Sequence, residues 1–318
     1  MGFPFVGTDC KKQMGMSLED HDALRALELK IRTILPEEYQ DNYEDVQPLS
    51  MGSAGLKYGS DGKVAWNEMW GGFCDLAMAG GPPHKGVLLE PSSLEEIEAE
   101  AERYRGVVEE ICRGVRMVTE LAANPSTTRG WVRVDCESES MAEWLVRAIV
   151  MENVSCRCEG TAIELPAGPS YRIEKEIKNV ITALAKTCHY WLEHMWSSQH
   201  QEIGNLFLRM SVASPLIHPL PGNDPEQHQL SRTIANKIRE STGLSPAERG
   251  YAGWLGVECR DVRAAIWMMR ALVATNVLAR REGTVLFVAV NSHSDPSGDI
   301  VAKSFAQVHR CAIARKIL

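Results

Sequence analysis

Apolar and polar positions recur along this chain with two periods, which predict a mixture of helices and strands. At 17–34 the apolar residues recur at helical spacing, and Ser17 can cap the helix that they predict. At 131–136 apolar and polar residues alternate, as is typical of a half-buried strand. The pattern therefore predicts an α+β (mixed α/β) protein that begins with a helical arm.

The same pattern occurs twice. Residues 130–161 and 253–284 align without a gap at a constant offset of 123, and 15 of the 32 positions are identical. Each segment predicts a strand, a helix and a hairpin around Glu-Gly-Thr. We interpret the two as a tandem duplication with a pseudo-two-fold axis, because two fused copies of one unit commonly keep such symmetry.

The duplicated unit is predicted to be β-α-β-α-β-β-α. Its predicted elements in the first copy are 73–79, 92–121, 131–136, 138–152, 155–159, 162–166 and 173–195. Those in the second copy are 207–213, 225–241, 254–259, 262–275, 278–282, 285–290 and 299–315. Upstream the match needs an offset of 134, which pairs Ala79 with Ala213 and His84 with His218. The predicted domains are an arm at 1–65 and repeats at 66–200 and 201–318.

The composition and charge of the chain limit the partners and the cellular location that can be expected for it. The chain has 318 residues, a net charge of −8 and nine cysteines, and it begins without a signal-peptide pattern. Reduced thiols in the cytoplasm are therefore expected. The negative charge without a dense basic stripe argues against nucleic acid as a partner, and the absence of a long apolar run argues against a membrane span. A homo-oligomer or a protein partner stays open.

Residues kept in both copies are interpreted as structural. The tryptophan pairs Trp131/Trp254 and Trp144/Trp267 are predicted to pack in the core or between the repeats. For Arg147/Arg270, the structural interpretation is an ion pair with Glu159/Glu282 at the hairpin, and ligand binding is the alternative. Binding and catalytic residues are then expected at positions where the first copy has unusual residues and the second copy does not.

The loop at 80–86, Gly-Gly-Pro-Pro-His-Lys-Gly, is matched in the second copy by 214–218, which lacks the glycine pair and the lysine. Gly80 and Gly81 permit backbone conformations closed to other residues, and the prolines stiffen the exit. Backbone amides and Lys85 would suit a phosphate or carboxylate, while His84 could transfer a proton. The alternative is a rigid structural turn with an incidental histidine.

The last helix of the first copy carries a polar stripe of Lys175, Asn179, Thr182, Lys186 and His189 at steps of three and four residues. Such a stripe could face an anionic ligand, and a solvated helix face is the alternative. The predicted ligand-binding residues are Gly80, Gly81, Lys85, Lys175, Asn179 and Lys186.

The histidines and cysteines of the chain suggest two further kinds of chemistry, metal binding and thiol attack. A divalent metal is a candidate cofactor, with His84, His189 and His218 as candidate ligands, although no paired Cys-x-x-Cys spacing is present. Cys74 could act as a nucleophile with His84 as its base, or be buried and inert.

These observations predict an intracellular enzyme that acts on a small anionic metabolite by acid/base chemistry in a pocket at the repeat junction. His84 and His189 are its predicted catalytic residues. The alternative is a non-catalytic metabolite- or metal-binding protein or a partner subunit. Its docking surface would include Trp66, Trp70 and Trp196.

Overall fold

The computed structural model describes residues 18–41, 55–69, 74–220 and 225–318 as a mixed α/β protein with two small antiparallel sheets. Helix accounts for 53% and strand for 14% of it. The predicted cap Ser17, Trp70 and Phe73 lie outside the described residues. Among the described residues, none of the helices combines the length and the apolar character needed to cross a membrane.

The elements of the first half of the chain are α1 (Leu18–Ile34), α2 (Glu37–Gln40), α3 (Leu94–Ala99), α4 (Ala101–Thr119), β1 (Ala123–Pro125), β2 (Trp131–Asp135), α5 (Glu139–Met151), β3 (Arg157–Glu159), β4 (Ala162–Pro166) and α6 (Lys178–Glu193). Those of the second half are α7 (Ser197–Ala213), α8 (Pro225–Thr242), β5 (Trp254–Glu258), α9 (Val262–Val273), β6 (Ala279–Glu282), β7 (Val285–Ala289) and α10 (Asp299–Ala314). The predicted helix at 17–34 is confirmed over Leu18–Ile34, and the predicted helix at 92–121 is divided at Glu100 into α3 and α4.

The first sheet has the order β1-β2-β4-β3, and the second has the order β5-β7-β6. In the first sheet β4 lies between β2 and β3, and in the second β7 lies between β5 and β6, as when Val132 pairs with Leu165 and Leu255 with Val288. Strands β2 and β3 therefore run parallel with β4 between them, and β5 and β6 run parallel with β7 between them. Each half is a split β-α-β unit, which the helix covers on one face.

The two longer strands of each half lie 123 residues apart along the chain, as do the two aligned sequence segments. Strands β2 and β5, and β4 and β7, begin and end 123 residues apart. The caps agree too, because Ser138 accepts a hydrogen bond from the N–H of Met141 and Asp261 accepts one from that of Ala264. After each helix an asparagine has a positive φ, 60° at Asn153 and 63° at Asn276, a conformation that asparagine tolerates better than most residues.

The predicted first strand of each unit is wrong. At 74–79 the chain is irregular and ends in a 3₁₀ turn at Ala77–Ala79, while 207–213 lies inside α7. Both are short apolar runs, which hydrophobicity alone cannot assign to strand or helix. A short strand, β1, was missed. The observed order is therefore helix, strand, helix, two strands and helix, with β1 as an additional strand in the first half; at the position 123 residues further on, Pro246 forms a single antiparallel bridge with Val257.

The predicted upstream pairing at offset 134 is also wrong. Leu89 donates to the carbonyl of Asn153, and Ile217 donates to that of Asn276. Leu89 and Ile217 are thus equivalent at an offset of 128. His218 therefore corresponds to Glu90 rather than to His84.

The core continues through both halves. Trp131, Trp254, Trp144 and Trp267 are all buried, in agreement with the predicted packing role. Trp66 is fully buried too, so it cannot belong to the predicted docking surface. Helix α1 lies over this core against α7, α9 and α10. The domain boundaries at 65 and 200 stay a prediction.

The shared arginines join the two halves instead of pairing with the hairpin glutamates. Arg147 donates to the side-chain oxygen of Asn276 at 2.7 Å, and the Nε of Arg270 donates to the carbonyl of Met78 at 2.7 Å. In the second hairpin, Glu282 pairs instead with Arg280 at 2.7 Å. The predicted ion pairs of Arg147 and Arg270 are therefore corrected to contacts across the junction.

Candidate functional site

A fully buried ion pair lies where the end of α5 meets α6. The Nζ atom of Lys186 is 2.9 Å from Oε1 of Glu152, and both side chains are completely shielded from solvent. Burial works against a charged lysine, but the Glu152 carboxylate outweighs it and raises the pKa of Lys186 above its usual value. Lys186 is therefore a charged group that a ligand from solvent does not reach directly.

This ion pair fixes the segment 74–86. The two carboxylate oxygens of Glu152 accept the backbone N–H groups of Ala77 at 2.9 Å and His84 at 2.8 Å. Lys186 donates to the carbonyl of Asp75 at 3.1 Å and to the Cys74 sulfur at 3.2 Å. We call the contact between 74–86 and α6 the seam.

Within the seam, the glycines shape the backbone. Gly80 has a φ of +109°, and a Cβ atom at Gly81 would lie 2.2 Å from the carbonyl oxygen of Asp75. The N–H of Gly80 donates to Ala77 and that of Gly81 to Leu76. Both amides are thus used inside the protein, so an anion would have to be bound by other groups.

His84 links the loop to α6. Its Nε2 atom lies 3.1 Å from the side-chain oxygen of Asn179. An oxygen accepts, so Nε2 carries the proton and Nδ1 is the basic nitrogen. Burial lowers the pKa of His84 to about 4, although Glu152 acts in the opposite direction. The imidazole is therefore neutral at physiological pH.

Lys85 and Lys175 lie at the outer end of the seam. Lys85 is partly buried, and Asn153 holds its carbonyl with a hydrogen bond of 2.8 Å. Burial lowers the pKa of Lys85; Glu176 opposes this and Lys175 adds to it. Lys175 is more than half exposed and lies 3.6 Å from Glu176. The ammonium groups of Lys85 and Lys175 thus lie near each other within reach of solvent, and that of Lys85 also acts on His84.

The hydroxyl groups of Tyr39 and Tyr190 form a hydrogen-bonded chain that ends at Asp75 in the seam. Tyr39 donates to Asp75 at 2.6 Å, and its oxygen lies 2.8 Å from that of Tyr190. Burial and these two contacts raise the pKa of Tyr39 far above its usual value. Sequence reasoning missed Tyr39, Tyr190 and Glu152. The sequence does distinguish Glu152 from the matching position of the second copy, which is Thr275, 123 residues further on.

The second half of the chain also contacts the loop. Arg281 donates to the carbonyl of Gly81 at 3.2 Å, and Arg270 donates to those of Met78 and Ala79. The loop at 80–86 therefore lies at the junction of the two halves.

The remaining predicted residues lie elsewhere. His189 is ten residues after Asn179, or about 15 Å along the axis of α6, and its ring faces His194. His218 packs near Arg147, and burial lowers its pKa to about 4. In the described part of the chain, no three or more His, Cys, Asp or Glu side chains are grouped to hold a metal. His84, His189 and His218 therefore do not form one metal site.

Two surface cavities are lined by other residues. One, of about 370 Å³, lies between α5 and α7 at Ser140 and Gly204. The other, of about 260 Å³, lies beside Tyr251 and Trp254 in the second half. Neither is lined by the residues of the seam.

Comparisons with models of protein families, with curated proteins and with solved structures found no match to this chain. No function is therefore carried over from a relative. The function proposed below is based on the geometry of the seam.

Proposed function

We propose that this chain is an enzyme that binds a small anionic metabolite at the outer end of the seam and acts on it by acid/base chemistry. The supporting observation is the fixed position of His84. Glu152 holds its backbone and Asn179 holds its ring, and this leaves Nδ1 as the basic nitrogen. A proton acceptor that is held at two points is pre-oriented for transfer.

The two lysines supply the attraction for an anion. Lys85 and Lys175 carry like charges near each other, and a phosphate or carboxylate between them would relieve their repulsion. The same anion beside His84 would favour the imidazolium form and raise the pKa of that histidine from about 4 towards neutrality. In this mechanism the substrate itself makes His84 a stronger base.

The buried groups play a positioning role. Lys186 and Glu152 are shielded from solvent, so they hold the loop and do not contact the substrate. Gly80 and Gly81 shape the backbone. His189 lies too far along α6 to share the reaction with His84, so it takes no part in the proposed catalytic step.

We further infer that the two halves arose by duplication, since the sequence identity and the bounds of the strand pairs β2/β5 and β4/β7 share the offset of 123. Their relation by a pseudo-two-fold axis stays a prediction. All eight described cysteines are free, which supports the expectation of a reducing, cytoplasmic environment.

The test is a thermal-shift screen with phosphorylated and carboxylated metabolites, followed by turnover assays on each compound that binds. Replacing His84 by Ala should lower turnover by about 10²-fold or more, as the loss of a general base does. Replacing Lys85 and Lys175 together by Ala should weaken binding. The matched control is Lys303→Ala, an exposed lysine on α10. Unchanged turnover in the His84 variant would refute the proposal.

A non-catalytic binding protein or partner subunit is the second candidate. Two observations favour it. Lys186 is paired inside the protein and does not reach a ligand, and the side chain of Trp196 is 70% exposed on the surface. Binding of a metabolite without any turnover would select this candidate.

A further inference from the structure

Two histidines face each other at the C-terminal end of α6. His189 is in the last turn of the helix, and His194 follows the helix with its N–H bonded to the carbonyl of Tyr190. Their Nε2 atoms are 3.2 Å apart. Each side chain is 31% exposed, so solvent and small ions reach both rings.

The other nitrogen of each ring is next to a carboxylate. Nδ1 of His189 lies 3.1 Å from Glu193, and Nδ1 of His194 lies 2.9 Å from Glu38. A carboxylate accepts hydrogen bonds, so it favours the proton on each Nδ1. Both Nε2 atoms then present lone pairs to each other. This arrangement is repulsive unless a proton or a cation lies between them.

The distance suits a metal ion. Two nitrogen ligands at the Zn–N distance of 2.0–2.1 Å in a tetrahedral site are about 3.3 Å apart. A carboxylate on the second ring nitrogen is the usual outer contact of a metal-binding histidine, because it fixes the tautomer and the orientation of the ring. His189 and His194 each have such a contact.

We propose that His189 and His194 form a two-histidine site for a divalent transition-metal ion such as Zn²⁺. Neutral imidazole is a preferred ligand of these ions. No third His, Cys, Asp or Glu completes the group among the residues that the structure describes, so water or another donor fills the remaining positions. The site is separate from His84, and its test does not depend on an enzymatic activity.

The experiment is titration of the full chain with Zn²⁺ by calorimetry. We expect one site whose affinity falls at least tenfold in His189→Ala and in His194→Ala. Glu38→Gln keeps both ligands but removes one outer contact, so its affinity should also fall, by about tenfold. The matched control is His228→Ala, an exposed histidine on α8 that should leave the affinity unchanged.

A second measurement guards against misfolded variants. Circular dichroism checks each fold, and Zn²⁺ should raise the melting temperature of the wild type more than that of the two histidine variants. Absence of Zn²⁺ binding to the wild type would mean that a shared proton alone joins the two rings, and it would overturn the proposal. Equal affinity in the wild type and both histidine variants would overturn it as well.

Discussion

The two halves share one backbone plan but differ at the point where the first holds its buried charges. Glu152 and Lys186 form an ion pair without solvent contact, whereas the positions 123 residues further on are Thr275 and His309. A buried ion pair is rarely the most stable choice, since desolvation opposes it. Because the second half folds to the same plan without the pair, the fold itself does not require it. The difference indicates that the role of the ion pair is to hold the 74–86 segment in place.

The largest expected effect comes from removing one charge of the pair. Lys186→Met leaves the Glu152 carboxylate buried without its cation, and we expect a loss of about 3–5 kcal/mol in the free energy of unfolding. Thr275→Ala, at the equivalent position to Glu152, should cost less than about 1 kcal/mol. Urea denaturation measures both. Similar losses in the two variants would remove the contrast between the halves.

A smaller effect is expected from the glycines of the loop. Gly81→Ala places a Cβ atom 2.2 Å from the carbonyl oxygen of Asp75, so the backbone must shift, at a cost of about 1–3 kcal/mol. Gly86→Ala, in the same loop, has no neighbour within 4 Å and is the matched control. If both substitutions had the same effect on unfolding, the close packing of the loop would not be needed for stability.

The smallest effect, taken per pH unit, is a dependence of the free energy of unfolding on pH. His84 and His218 have folded-state pKa values of about 4, below the usual 6.5. Between these values the unfolded chain binds more protons, so stability is lost as the pH falls from 6.5 towards 4. The slope is at most about 1.4 kcal/mol per pH unit for each histidine, and solvent screening reduces it for the partly exposed His84.

Substituting each histidine separates the two contributions. His84→Gln and His218→Gln should each flatten the slope between pH 4.5 and 6.5, as followed by urea denaturation. The exposed His228→Gln should not change it. A slope that both of the first two variants leave unaltered would show that neither histidine is held neutral by the fold.

Much of the secondary structure could be predicted because it depends on local periodicity. The helices and hairpins of both halves follow from the spacing of apolar residues, from caps such as Ser138 and from the Glu-Gly-Thr turns. The predictions at 73–79 and 207–213 failed for different reasons: residues 74–79 are nearly all buried, which removes the periodicity, whereas 207–213 is a short part of a helix in which Leu208 and Val212 are exposed. Leu206, Phe207 and Met210 are buried on one face of α7, and this face is visible only over the whole helix.

The site was predicted only in part. The loop at 80–86 was unusual in sequence, and the structure does join His84 to Asn179. The role of Lys186 was not predictable, because its partner Glu152 is distant in sequence and stands in no motif. The stripe along α6 likewise separates into an end that contacts the loop and an end at His189 that faces His194. Sequence spacing gives the face of a helix but not the neighbour that covers it.

The asparagines after the two central helices have a consequence for cooperativity. Asn153 donates to the carbonyl of Arg281, and Asn276 accepts from Arg147, so each turn is completed by the opposite half. If one half were excised, a buried carbonyl and a buried guanidinium would lose their partners. We therefore expect the two halves to unfold together, because opening either sheet would loosen the turn of the other.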